Sequence, residues 1–365
     1  MIPRALLIVM LFASVASAQR LTYRGCERLP EKLAPGLSGI TYVGDGIYWG
    51  VLEFEAKLLR LRTVTRGDGS IESVKIEDSL QMRRGTDFEG VAFTPARPDT
   101  IMVSTEAPEV IEVSLKDGRG LRSVPLPNVF RQIVKNQGLE SLTYSADGKT
   151  LWTASERALK IDGNPQTPAD PFLASTRVRL QRFALRDDRF EPAEQFEYHT
   201  GGVHGAAGQI GLCDLAALPD GRLLSLERSA AQGLSGKKSI RTRIYLVDAT
   251  DATDISKPPF AAGLVKQTPA AVRKTLLFDD FVCDSDGENL EGICLGPSLG
   301  PDKWAVLGVV DNTDGGVGVS KPAVLSFEFD LKTPPTSQPA TTRPTTSEIK
   351  VNHKDTENTE ESTKK

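Results

Sequence analysis

Apolar and polar positions alternate along most of this chain in runs of four to seven residues, with Gly, Pro or Asp close to many of their ends. That pattern predicts strands over Ile47–Leu52, Leu58–Thr63, Ile101–Ser104, Val110–Ser114, Leu151–Ala154, Arg179–Leu185, Leu223–Leu226, Ile244–Val247, Trp304–Val309 and Ala323–Phe329. Helical periodicity is scarce, with short candidates near Val129–Asn136 and Pro269–Lys274. Asp162–Ser175, His199–Gly211 and Ser229–Thr242 read as long loops, the second rich in glycine around His204 and placed to form a lid or wall. The chain is expected to be all-β.

A longer period lies over the strands. Five times a short turn opens an apolar strand and a second strand follows that ends on an acid. The copies are Leu37-Ser38-Gly39-Ile40 leading to Glu53, Asp87-Phe88-Glu89-Gly90-Val91 leading to Glu106, and Gly138-Leu139-Glu140-Ser141-Leu142 leading to Glu156. Gly211-Leu212-Cys213-Asp214-Leu215 leads to Glu227, and Asn289-Leu290-Glu291-Gly292-Ile293 to Asp311. Asp147-Gly148 and Asp220-Gly221 supply the positive φ that a tight hairpin turn needs in the third and fourth copies. A hairpin cannot bury its apolar face alone, so such units must stack, and a β-propeller of four-stranded antiparallel blades satisfies that need. At roughly 40–50 residues per blade, a body of residues 19–331 predicts six blades, with seven as the alternative.

The two ends read differently. Residues 1–18 carry Arg4, an apolar stretch from Ala5 to Val15 and a small-x-small ending at Ala16-Ser17-Ala18, the pattern of a signal peptide. Residues 332–365 are rich in Pro, Thr and Ser and then in charge, a composition that buries no core and predicts disorder. No later apolar run approaches the roughly 20 residues of a membrane helix, so an exported protein, periplasmic or secreted, without a membrane span is expected. The net charge of −4 argues against a nucleic-acid partner. A monomer is expected. Four cysteines in an exported chain allow two disulfides. Cys283 with Cys294 would staple the fifth motif and leave Cys26 with Cys213; four buried free thiols are the alternative.

In a propeller the innermost strands converge on a central channel, so Glu89, Glu140, Asp214 and Glu291 are expected to face one another. One such acid alone serves its own turn as readily as a ligand. Several aimed at one channel repel unless a cation or arginines neutralise them, and Asp311 with Asn312 adds a carboxylate and an amide oxygen suited to a hard cation. The expected metal set is therefore Glu89, Glu140, Asp214, Glu291, Asp311 and Asn312, the expected ion Ca²⁺, and the expected catalytic carboxylates Glu89, Glu140 and Glu291. Arg157 and Arg228, each beside an acid at a strand end, are suited to capture an anionic group, unless they serve as inter-blade salt bridges. His204 is the remaining candidate for substrate binding or proton transfer. The chain carries no Gly-x-Ser-x-Gly elbow, His-Glu-x-x-His, P-loop or dinucleotide fingerprint.

Asp87-Phe88-Glu89-Gly90-Val91-Ala92, Asn136-Gln137-Gly138-Leu139-Glu140-Ser141-Leu142, Leu224-Ser225-Leu226-Glu227-Arg228, and Asn289-Leu290-Glu291-Gly292-Ile293 with Val310-Asp311-Asn312 give the chain its family likeness. In these strings it resembles the phytase-like family, labelled as having esterase-like activity of phytase. The resemblance implies an exported propeller with hydrolase activity on phosphate or other esters, while the Asp-Asp-Pro-Ala opening of the alkaline β-propeller phytases is missing. The expected function is hydrolysis of a small anionic ester at a metal-binding carboxylate cluster. A calcium-dependent lactonase-like enzyme and a non-catalytic binding propeller of the cell envelope are the alternatives.

Overall fold

Twenty β-strands form five four-stranded antiparallel sheets among the described residues. The computed structural model describes residues 19–163, 175–232, 238–312 and 321–331. The leader (1–18), the tail (332–365) and most of the Asp162–Ser175 loop lie outside the described residues. The first blade is β2 (Leu37–Gly44), β3 (Ile47–Leu52), β4 (Lys57–Thr65) and β5 (Ile71–Gln81); the second is β6 (Phe88–Ala92), β7 (Thr100–Thr105), β8 (Glu109–Ser114) and β9 (Gly120–Ser123). The third is β10 (Leu139–Tyr144), β11 (Thr150–Ser155), β12 (Arg177–Arg186) and β13 (Arg189–His199); the fourth is β14 (Ala206–Ala217), β15 (Leu223–Gln232), β16 (Lys238–Asp248) and β17 (Arg273–Asp280). In the fifth, β18 (Leu290–Gly300), β19 (Lys303–Val310) and β20 (Ala323–Asp330) are joined by β1 (Arg20–Arg28), so the first strand of the chain completes the last blade.

The strands β2, β6, β10, β14 and β18 touch one another in a closed ring and are the inner strands. Five apolar clusters fill the five inter-blade spaces, exemplified by Val51, Leu58, Phe88 and Ile111 between the first two blades and by Leu224, Ile244, Leu290 and Phe327 between the last two. Both faces of a sheet are therefore covered, which is why β6 is buried at every position. Each fully buried Leu or Phe contributes about 1.5–3 kcal/mol to closing the ring.

The count is five blades, not the six or seven expected from length. The five motif copies each open one inner strand; what misled was the average blade size. The extra length went into longer strands, 10 to 12 residues in β12 to β16, rather than into further sheets. The expected loop Ser229–Thr242 is largely strand, with Ser229 opposite Arg241 and Ala231 opposite Ser239, and β14 takes in the second half of the expected loop His199–Gly211. Cross-strand pairing there overrides the weak strand propensity of Ser, Ala and Gly. Near Val129–Asn136 only a 3₁₀ turn forms, Asn128–Gln132, and residues 269–272 lead directly into β17, because segments this short do not offset the cost of helix nucleation.

The disulfide joins Cys26 to Cys283, with Cα atoms 5.6 Å apart, and Cys213 and Cys294 are free and buried. This corrects the expected Cys283–Cys294 and Cys26–Cys213 pairs. Cys294 is packed between the fifth and first blades and Cys213 between the fourth and fifth. Pairing of β1 with β20 instead brings Cys26 to the turn that precedes β18, so neighbours in space are 257 residues apart in sequence.

Candidate functional site

Every inner strand breaks register with its second strand at the same place. Leu37 opposes Leu52, Phe88 opposes Thr105, Leu139 opposes Ser155, Leu212 opposes Glu227 and Leu290 opposes Val310, and the residue that follows each inner-strand partner is extra. These β-bulges twist the strand and turn the extra side chain out of the ladder. The bulged residues are Ser38, Glu89, Glu140, Cys213 and Glu291. One step past the paired residue on each second strand stand Glu53, Glu106, Glu156, Arg228 and Asp311. The fold thus presents two five-membered rings of side chains at one end of the channel.

Eight of these ten side chains, all but Ser38 and Cys213, line a cavity of about 230 Å³ whose described walls are Glu53, Phe54, Asp87, Glu89, Glu106, Asn136, Glu140, Glu156, Arg228, Glu291 and Asp311. Eight carboxylates therefore meet one guanidinium. Arg228 Nη1 donates to Asn289 Oδ1 at 2.8 Å and to Glu291, and its Nη2 lies 3.3 Å from Glu156 Oε1. Asn289 Nδ2 donates to Glu291 Oε1 at 3.0 Å. Ser38 Oγ donates to Glu89 Oε2 at 2.8 Å, and the Gly138 N–H donates to Glu106 Oε2 at 2.8 Å.

Charge is unevenly spread around the well. Carboxylate oxygens of Glu53, Asp87 and Glu89 lie within 4.8 Å of one another, as do those of Glu89, Glu106 and Glu140, all on the first three blades, whereas Arg228 sits on the fourth. Burial, then the charges of Glu291 and Glu53, push Glu89 well above the usual carboxylate range. Burial followed by Glu89, Glu156 and Glu106 does the same to Glu140, and burial with nearby Asp87 and Glu156 raises Glu106 against the Gly138 hydrogen bond. Crowded carboxylates without a cation hold protons to relieve repulsion. A donor set made of carboxylate oxygen fits a hard divalent cation such as Ca²⁺ or Mg²⁺ and is unsuited to a soft one.

Four expected site residues thus converge in the well: Glu89, Glu140, Glu291 and Asp311, joined by Arg228. Four do not line it. Asp214 is one residue past the bulge, in register with Gly39, Gly90, Ser141 and Gly292, and that position faces the neighbouring blade. Its Oδ2 accepts the Ile293 N–H at 2.7 Å and its Oδ1 that of Leu215 at 2.7 Å, so it braces the fourth blade against the fifth. Cys213 holds the place in the ring that Asp214 was expected to hold. Asn312 Oδ1 accepts the Gly36 N–H at 3.0 Å and tethers the last blade to the first. Arg157 is buried behind the wall, with Nη2 3.4 Å from Glu156 Oε1 and Nε lacking a partner. His204 is held between the hydroxyls of Ser229, 2.8 Å from Nδ1, and Ser239, 2.9 Å from Nε2, with its ring edge-on to Phe281; burial, then Arg243 and Arg241, lower its pKa.

The hairpin-ending acids Glu53, Glu106 and Glu156 belong to the site although Asp311 was the one hairpin-ending acid expected there, and Asp87 was not expected at all. Laying the hairpins side by side on their apolar residues shows the first three. It also shows that Arg228, not Glu227, completes that ring, while Glu227 is wholly buried and bound by the Tyr198 hydroxyl, Lys274 and the Gly201 N–H.

The fold and site define a five-bladed propeller with an acidic well at the end of its channel. The chain belongs to the phytase-like family, described as esterase-like activity of phytase, whose model matches residues 33–313. No curated protein matches the sequence. Among solved structures it is similar to the PQQ-bound form of aldose sugar dehydrogenase from Streptomyces coelicolor, with 11% identity, 87% of this chain and 100% of that chain covered, and a TM-score of 0.42.

Proposed function

We propose that this protein is an exported hydrolase of phosphate or other esters that works through a hard divalent cation, Ca²⁺, held by the carboxylates of the well. One observation carries the reading: eight carboxylates and a single arginine line the described walls of the well, with oxygens of two triads spaced closely enough to share an ion. Glu89, Glu140, Glu53, Asp87 and Glu106 would hold it. A bound cation of this kind polarises an ester oxygen and lowers the pKa of water.

The chain's own residues supply the rest. Arg228, fixed by Asn289 and Glu291, presents its guanidinium at the wall opposite the triads, where it is placed to orient the anionic part of a small ester. Glu291, held by Arg228 and Asn289, belongs to neither triad and is the carboxylate that would take a proton from an attacking water. Arg157 acts through Glu156, keeping that carboxylate beside Arg228. His204, occupied by the hydroxyls of Ser229 and Ser239 away from the well, ties the segment before β14 to β15 and β16. The Cys26–Cys283 disulfide supports export, since such bonds persist in oxidising compartments.

A panel of phosphate monoesters, phosphodiesters, carboxylic esters and lactones, assayed with calcium and with EDTA, tests the reading. Calcium-dependent turnover of at least one class, lost in Glu140→Gln, is expected. Turnover unaffected by EDTA, or none on any class by a calcium-loaded protein, contradicts it.

A further inference from the structure

We propose that Phe54 sets the specificity of the well, and that the ester it receives carries an aryl group beside its anionic part, the aryl ring lying on Phe54 and the anion held at Arg228. The inference rests on the reading of the well as a cation-assisted ester site and names its substrate class.

Phe54 is the one apolar side chain in the described walls, where every other lining residue is a carboxylate, an amide or a guanidinium. Its place follows from the register of the hairpins. Glu53, Glu106, Glu156, Arg228 and Asp311 stand one step past the pairing of each second strand with its inner strand, and the next residues are Phe54, Ala107, Arg157, Ser229 and Asn312. Of these five only Phe54 is among the described walls. Arg157 and Ser229 are buried, and Asn312 is committed to the Gly36 N–H. Phe54 is 61% exposed, and of the large hydrophobic residues exposed among the described residues it is the one aromatic and the one that lines the well. A lone apolar side chain on open surface needs no explanation. One set in an otherwise polar cavity gives a ligand its apolar surface to cover, and covering it is favourable.

The turn that carries Phe54 is tied down on both sides. The Glu53 N–H donates to the Gly36 carbonyl at 2.7 Å, and the Glu53 carbonyl accepts the Phe88 N–H at 3.0 Å. The Ala56 carbonyl accepts the Met82 N–H at 2.8 Å and Gln81 Nε2 at 3.0 Å. The backbone is therefore in place before a ligand arrives, and a side chain with few rotatable torsions loses little entropy on binding. A planar aryl group matches the ring by offset or edge-on stacking, whereas a short alkyl group covers little of it. Arg228 lines the same cavity, and its planar guanidinium suits the oxygens of a phosphate or carboxylate.

Phenylphosphonate and methylphosphonate share an anionic head and carry no ester bond to cleave, so their calorimetric titration into the calcium-loaded full chain tests this without turnover. The wild type is expected to bind phenylphosphonate roughly tenfold more tightly than methylphosphonate. Phe54→Ala should bind the two alike, and Phe54→Tyr should keep the preference. Calcium uptake and melting temperature should be the same in all three proteins, since the ring is exposed and offers no oxygen to the ion. Equal binding of both phosphonates by the wild type, or a preference that survives Phe54→Ala, overturns the role of Phe54 and leaves the cation site standing. Binding of neither phosphonate by the calcium-loaded protein overturns both.

Discussion

At the scale of single residues, the well is a place where burial and like charge are set against the fold, and that makes its titration readable. Glu89 and Glu140 have pKa values well above the 4.5 of a free glutamate. Between that value and the raised one the folded chain binds more protons than the unfolded chain, so stability falls as pH rises through the interval. EDTA-treated protein should therefore melt at a higher temperature at pH 5 than at pH 8, and calcium should abolish most of the difference by replacing the protons. Glu140→Gln should raise the melting temperature of the chelated protein at pH 8 and lower that of the calcium-loaded one. Melting curves at the two pH values that showed no slope without calcium would count against the crowded carboxylates. Asp214 makes the opposite case. Asp214→Ala leaves the Ile293 and Leu215 N–H groups without their acceptor and should cost about 2–3 kcal/mol in denaturant unfolding, with calcium affinity unchanged.

At the scale of elements, the bulge is the device that makes the site. It adds one residue at the start of each inner strand, and the residue after it must let the neighbouring strand approach. A Cβ on Gly90 would lie 2.6 Å from Ser104 Oγ and 2.8 Å from the Glu140 carbonyl oxygen, and one on Gly292 would lie 2.6 Å from the Ser38 carbonyl oxygen. Gly90→Ala should consequently cost about 1–3 kcal/mol by overpacking and should weaken calcium binding, because it pushes the strand that carries Glu140. An unchanged denaturation midpoint would show that the strands are not so closely apposed. The bulge also marks the limit of what was legible in the sequence. Leu37, Phe88, Leu139, Leu212 and Leu290 announce the inner strands, and the acids beside three of them announce the well. In the fourth copy, Asp214 sits one residue later than Glu89 or Glu140, and a residue identity matched by type rather than by register puts it in the wrong ring. The bulge reverses which face a side chain takes, and no alternation of apolar and polar residues reports it.

At the scale of the whole molecule, closure decides both the blade count and the cysteine pairing. The repeat itself enumerated the five blades, whereas a division of chain length by a typical blade did not, because long strands in the third and fourth blades absorb residues without adding sheets. Closure also depends on β1 reaching β20, a contact between residues at opposite ends of the body that no local pattern contains, and Cys26–Cys283 secures it. Replacing both of these cysteines by serine should cost about 3–5 kcal/mol, as expected for a very long closed loop, with hydrogen exchange first increasing along β1; equal stability of the double variant would contradict a locking role. The ring that this closure completes is what brings acids from the first, second, third and fifth blades, with Arg228 from the fourth, to one well.

The central claim is that the well exists to hold a hard cation. Its most direct measurement is the calcium content of the purified protein, with the melting temperature followed through EDTA treatment and calcium restoration. The account predicts stoichiometric calcium, a clear drop in melting temperature on chelation and full recovery when calcium returns. A protein free of metal as purified, with a melting temperature indifferent to both EDTA and calcium, would contradict it.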